Sequence, residues 1–181
     1  DTKGGFFKIE GNENLFLCEG YATGASIHEA TGATVYCAFN AGNLENVLRE
    51  VVRIHTKKTE NGYIHPQHEG RIIICADNDW KREQEGKGNA GKWKALKAAL
   101  SHEFEGTKII YPVDIEGTDF NDLMIEKGLD AVKERIDQAW IPTKAELPKS
   151  EQKITEPEQG KEQQVFNLTD FGNAERLISR H

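Results

Sequence analysis

The chain has 181 residues, 37% hydrophobic and 29% charged, with a net charge of −7. That length suits one domain of ordinary size with an appendage, and such a domain needs no disulfide or structural metal to sustain its core. The acidic balance argues against a nonspecific DNA-coating protein, no apolar run approaches the roughly 20 residues of a membrane span, and no secretory h-region opens the chain.

Taken in chain order, residues 15–18 (LFLC) read as a short buried strand that stops at Glu19-Gly20. Residues 21–30 have helical character, with Ala22, Ala25, Ile27 and Ala30 as small or apolar positions and Gly32 as a stop signal. Residues 34–39 (TVYCAF) are β-branched and aromatic and predict a second strand. After the turn residues Asn40–Asn43, residues 44–55 place Leu44, Val47, Leu48, Val51 and Val52 at the spacing of an amphipathic helix. Residues 56–70 are polar and read as a loop. Residues 71–76 (RIIICA) form a third strand that ends in Asp77-Asn78-Asp79. A charged, glycine-punctuated stretch follows to Asn89, then a helix over 90–100. A fourth strand over 108–111 (KIIY) is closed by Pro112, and helices over 120–125 and 129–140 are separated by Gly128.

This order, with continuous apolar strands alternating with helices, predicts an α/β fold. The sheet is mostly parallel, four-stranded and covered on both faces. In such sheets functional groups gather beyond the carboxyl ends of the strands, where Glu19, Asp77 and Asp79 fall. After Trp140 the composition shifts: residues 141–165 hold Pro142, Pro148 and Pro157 among many Lys, Glu and Gln, and read as a flexible linker. Residues 166–181 turn apolar again and predict a helix capped by Thr169 or Asp170. Three cysteines, Cys18, Cys37 and Cys75, lie inside apolar runs without a CxxC pair, the pattern of buried reduced thiols in a cytoplasmic protein. The chain opens on Asp1 rather than Met, which reads as a processed chain or a piece of a longer one.

Two carboxylates at i and i+2 just past a buried strand, Asp77 and Asp79, can converge on one cation. Mg²⁺ typically takes one or two protein carboxylates and shares its remaining positions with water and substrate phosphates. The plain structural alternative is a solvated strand-end turn. Glu19 leaves the sheet at the same end, and two carboxylates about 5 Å apart repel by roughly 3 kcal/mol at an effective dielectric of 20. Three together require a cation or a raised pKa, although Glu19 alone could simply favour a helix N-terminus. Asp119 and Asp122 follow the fourth strand. They read either as the cap of the next helix or as further members of the same acidic pole, which would then suffice for two divalent ions. Lys81, Arg82, Lys87, Lys92, Lys94 and Lys97 outnumber Glu83 and Glu85 over residues 81–97. That excess beside an acidic pole suits a polyanion, against the alternative of a solvated helix face. His65-x-x-His68 has ligand spacing but no third partner nearby, and Trp80, Trp93 and Trp140 fit packing better than base stacking.

Four segments, 15–32 (LFLCEGYATGASIHEATG), 35–44 (VYCAFNAGNL), 73–79 (IICADND) and 115–124 (IEGTDFNDLM), resemble in order the motifs of the Toprim domain of phage and plasmid primases. The resemblance covers roughly residues 4–140. It implies a Rossmann-like Toprim catalytic domain over residues 1–140, a linker over 141–165, and over 166–181 (within LTDFGNAERLISRH) the start of a helicase-associated region. It further implies that Glu19 is the catalytic acid or base, and that Asp77 and Asp79 bind Mg²⁺ (or Mn²⁺). Asp119 and Asp122 fall where bacterial primases carry a further acidic pair, with Asn121 competing for the second place. Lys81, Arg82 and Lys92 are the expected phosphate or nucleic-acid contacts. The implied activity is a DNA primase making primers by nucleotidyl transfer. Its partners would be a DNA template, NTPs and the helicase part of the same polypeptide, with the isolated fragment weakly active at most. A Toprim nuclease and a non-catalytic docking domain are the competing readings. Relatives follow the DxD closely with a small residue and a Gly; here Trp80 and an insertion-like stretch precede Ala90-Gly91.

Overall fold

The structure, a computed structural model, describes residues 3–149. In chain order it contains β1 (Phe7–Ile9), β2 (Asn12–Cys18), α1 (Tyr21–Thr31), β3 (Ala33–Cys37), α2 (Leu44–His55), β4 (Lys57–Thr59), β5 (Gly62–Ile64), β6 (Ile72–Cys75), α3 (Trp80–Gln84), α4 (Ala90–Leu100), β7 (Lys108–Ile110), α5 (Phe120–Lys127) and α6 (Leu129–Ile136). The main sheet has the order β1-β3-β2-β6-β7. β2 runs parallel to β3 and β6, β6 runs parallel to β7, and β1 pairs antiparallel with β3. The predicted parallel α/β core is therefore present.

Strand periodicity divides the core in two. Leu15 and Leu17 of β2, with Tyr36, Ile72 and Ile74, face α2 and α4 through Val47, Leu48, Val51 and Leu96. Phe16 and Cys18, with Val35, Cys37, Cys75 and Ile110, face α1, α5 and α6 through Ile27, Phe120, Leu123 and Val132. Alternate side chains thus go to opposite faces, and both faces are covered. This is why the strands carry apolar residues without interruption. The three cysteines are buried and free.

The sheet has five strands rather than the expected four. β1 is only three residues long and sits at an edge with Phe7 exposed, so it lacks the continuous apolar signature of the inner strands. The segment 56–70, read as loop, carries the β4–β5 hairpin around the turn Glu60-Asn61, with Gly62 opening β5. Every residue of those two strands is exposed, so hydrophobic patterning could not reveal them. The last helix ends at Ile136 rather than Trp140. Trp140 instead bridges to Ile109 beside β7.

Packed chain also continues past the expected domain edge at 140. The Trp140 indole N–H donates to Glu146 (2.9 Å), Thr143 and Glu146 form a reciprocal cap, and Leu147 is buried in the α2/α4 core. These contacts hold residues 141–147 against the domain. The rest of the expected linker, 150–165, and the predicted helix over 166–181 lie outside the described residues. No helix among the described residues is long and apolar enough to cross a membrane.

Candidate metal centre and active site

Parallel strands deliver their carboxyl ends to one pole. β2 ends at Cys18, so Glu19 emerges there; β6 ends at Cys75, so Asp77 and Asp79 emerge beside it. Because β2 and β6 are adjacent, these acids are neighbours, as the sequence led us to expect. Glu19 and Asp77 are each partly buried, and one oxygen of each, Glu19 Oε1 and Asp77 Oδ1, is buried without a hydrogen-bond partner. Two orphaned carboxylate oxygens at neighbouring strand ends cost free energy as they stand, and a cation is a partner suited to such oxygens.

The electrostatics agree. Burial pushes the Asp77 carboxyl up to about 8, reinforced by the charges of Glu19, Asp119, Asp79 and Asp122. Burial likewise raises Glu19, with Asp79 and Asp119 adding to the effect and a hydrogen bond from the Ala41 backbone opposing it. The charges of the other four predicted acids therefore all bear on Asp77.

They do not all present free oxygens. Asp119 caps α5 by accepting from the Asp122 backbone N–H (2.9 Å), and its other oxygen accepts from the Thr23 hydroxyl (2.9 Å). Asp122 accepts from the backbone N–H of Thr118 (2.8 Å) and of Asp119 (3.4 Å). This capping box uses the pair structurally, and Asn121 is held by the Ser26 hydroxyl of α1 (3.1 Å). Among the described residues no group of three His, Cys, Asp or Glu side chains stands ready-made around a metal position. The donor set with oxygens to spare is Glu19 and Asp77, with Asp79 at the head of α3, where its side chain makes no capping bond. One or two carboxylates supplemented by water and phosphate is the coordination Mg²⁺ favours, so these residues fit that ion.

What fixes the Asp-Asn-Asp segment is a residue the sequence reading passed over. Asn89 has no exposed surface. Its amide donates to Asn78 Oδ1 (2.8 Å) and Glu83 Oε2 (3.0 Å), while its carbonyl accepts from the backbone N–H of Asp79 (3.1 Å) and Lys92 (3.4 Å). Asn78, itself buried between the two aspartates, donates to Pro112 O (2.8 Å). The insertion over 81–89 therefore returns to clamp the strand end it left, and Asn89 caps α4 in the same contact. The signal available in sequence was an Asn directly before a helix. Asn89→Ala is expected to cost about 2 kcal/mol, since buried polar partners lose their bonds, and to loosen the aspartate pair. Urea unfolding and Mn²⁺ titration of the same variant check both effects.

Gly91, the glycine that follows the insertion, is fixed by a close approach. A Cβ there would meet Asp77 O at 2.8 Å and Glu19 Oε1 at 2.9 Å, so the glycine lets α4 approach the pole.

The predicted basic residues divide. Lys81 pairs with Glu116 (3.1 Å) and lies over the Trp80 ring. Lys92 lies over Tyr111, 4.8 Å from the ring centre, and 3.9 Å from Glu83. Arg82 is exposed on α3. Trp80 donates to Gly117 O (3.1 Å) and ties the head of α3 to the loop before Asp119, a packing role. His65 and His68 lie outside the acidic pole: His65 bonds the Thr56 hydroxyl (2.9 Å), and both line a cavity of about 770 Å³ with Arg49, Gln67 and His102.

Comparison with known proteins places this geometry. Two proteins named DNA primase TraC from Escherichia coli are similar to the chain. One is 32% identical over 110 residues, covering 61% of this chain and 7% of that protein. The other is 30% identical over 115 residues, covering 63% and 9%. The chain thus spans less than a tenth of the length of these relatives. No solved structure gives a significant match. The Toprim domain family matches residues 14–130, well over half of the chain. That match runs from the strand delivering Glu19 to the start of α6, so the whole acidic pole lies inside it, and the chain belongs to the Toprim domain family.

Proposed function

We propose that this chain is the Toprim catalytic portion of a DNA primase that makes primers by Mg²⁺-dependent nucleotidyl transfer on a DNA template in phage or plasmid replication. The carrying observation is the pair of orphaned oxygens, Glu19 Oε1 and Asp77 Oδ1, at adjacent strand ends of a Toprim fold. The similarity to two DNA primases supports the same reading.

Asp77 and Asp79 would anchor Mg²⁺ (or Mn²⁺), with Asp119 and Asp122 contributing charge from the α5 cap. Bound there, the ion would lower the pKa of an attacking hydroxyl and offset charge on the phosphate. Glu19 is oriented by the Ala41 backbone N–H and lifted by desolvation, the direction that suits a general base working near neutral pH. It would take the proton from a 3′-hydroxyl as that oxygen attacks the α-phosphate and pyrophosphate leaves, or would instead position the ion. Lys81, Arg82 and Lys92 flank the pole on α3 and α4 and would hold phosphates. In a longer protein, residues 1–140 with the packed segment to Leu147 would be the catalytic domain, the stretch from there to 165 a linker and 166–181 the entry to a helicase-associated region.

The test is a product assay in the full-length protein, with NTPs and a single-stranded template. Asp77→Asn with Asp79→Asn is expected to abolish chain extension; intact primer synthesis would refute the assignment. Shortening of the strand instead of extension would mean a Toprim nuclease. Unchanged function after Glu19→Gln would mean a docking domain whose acids are structural.

A further inference from the structure

Phe39 is a bulky residue with a positive φ of 69°, a conformation that such side chains rarely adopt. The turn it makes has a clear purpose. Phe39 N–H donates to Glu19 O (2.8 Å), and the chain then swings back so that the Ala41 backbone reaches the Glu19 carboxylate. That turn requires the backbone angle but not the ring. Glycine would adopt it at no steric cost, yet the position carries a phenyl group that is 63% exposed. Two more exposed rings stand at the same pole. Tyr21, 58% exposed, follows Glu19 by two residues, and Phe7, 46% exposed, pairs with Cys37 at the carboxyl end of β3. Phe7 and Tyr21 meet edge to face, with centroids 5.2 Å apart.

The pole therefore has a graded composition across the sheet order β1-β3-β2-β6. Exposed aromatics come first at β1 and β3, then Glu19, then the aspartates, then the cations Lys81 and Arg82 on α3. Phe39 follows β3, the strand next to β2, and Phe7 lies on β1, one strand further out. A single polynucleotide strand presents π faces and phosphates side by side, and neither an acidic peptide nor a lipid surface offers both.

We propose that Phe39, with the Tyr21–Phe7 pair at the same pole, forms a stacking platform for an unpaired base of single-stranded DNA whose phosphates lie over the acidic pole. The proposal rests on the nucleotide-transfer reading above for its choice of strand, but it concerns binding alone. Stacking on aromatic side chains is sequence-tolerant, so the platform would steady a template without selecting its bases.

The probe is a single-stranded oligonucleotide carrying one 2-aminopurine, at low salt with Mg²⁺, mixed with the 181-residue chain. Fluorescence quenching on binding is expected. Phe39→Gly removes both the ring and the strain, so it should raise the melting temperature by a few degrees while weakening quenching and affinity about tenfold. Phe39→Trp should keep the quenching, and Phe39→Leu, apolar but without a π face, should lose it. Quenching unchanged in Phe39→Gly and Phe39→Leu, or absent with the unsubstituted chain, overturns the proposal. The nucleotide-transfer reading fails on a different measurement, primer synthesis that survives substitution of Asp77 and Asp79.

Discussion

Asp77→Asn is expected to stabilise the metal-free protein at pH 8 and to remove most of its pH dependence. The Asp77 carboxyl has a folded pKa of about 8 against an ordinary value of 3.8, chiefly because it is buried and faces other acids. Between those two values the folded chain holds a proton that the unfolded chain has released, so stability must fall as pH rises. The contribution is fully present below about pH 4 and is lost as pH passes through 8. A gap of about four pH units corresponds to roughly 5 kcal/mol; the side chain keeps some solvent access, so about 3 kcal/mol is a better expectation. Asparagine carries no charge to desolvate and can donate to the unpartnered Glu19 Oε1. In EDTA at pH 8 its melting temperature should exceed that of the unsubstituted chain by about 5–10 °C, and the two should converge near pH 4. Added Mg²⁺ should stabilise the unsubstituted chain at pH 8 and leave Asp77→Asn nearly unmoved. Parallel melting curves across pH for the two proteins would show instead that Asp77 is charged and comfortable in the fold.

This tension at Asp77 was legible in sequence to an unusual extent. Continuous apolar runs revealed β2, β3, β6 and β7, because strands buried on both faces carry no alternation to obscure them. Parallel pairing then forced Glu19 and the Asp77/Asp79 pair to one end, whatever the details of the loops. The parts that escaped share a different property. β1, β4 and β5 are short and exposed, and their formation depends on pairing rather than burial. Asn89 escaped because a charged, glycine-rich stretch looks like solvent-facing loop, and only its return to Asn78 makes its last residue the most buried polar group beside the site. Asp119 and Asp122 were legible as a pair but ambiguous in role. Their spacing suits both a metal pole and a helix cap, and the cap takes their hydrogen bonds.

Gly91→Ala should destabilise the domain and weaken its metal pole together. Helix propensity alone argues the other way, since alanine in place of glycine in a helix gains about 1 kcal/mol. The surroundings decide the sign. The new Cβ would sit 2.8 Å from Asp77 O, 2.9 Å from Glu19 Oε1 and 3.0 Å from Asp77 Cβ, and the first and last of these belong to a strand end that Asn78 and Asn89 hold in place. Overpacking against a fixed wall costs typically 1–3 kcal/mol, and with little room to yield we expect about 3 kcal/mol net, a fall in melting temperature of about 6–12 °C. What yields will be α4 or the Glu19 side chain, so the spacing between Glu19 and Asp77 should open and Mn²⁺ affinity should fall with stability. Gly20→Ala is the matched control. It adds the same methyl directly beside Glu19, where the nearest atom is Thr23 Oγ1 at an ordinary 3.5 Å, and it should change neither quantity appreciably. If Gly91→Ala instead melts higher than the unsubstituted chain and binds Mn²⁺ equally well, then α4 has slack at the pole, and the close approach of this helix is not what sets the distance between the two carboxylates.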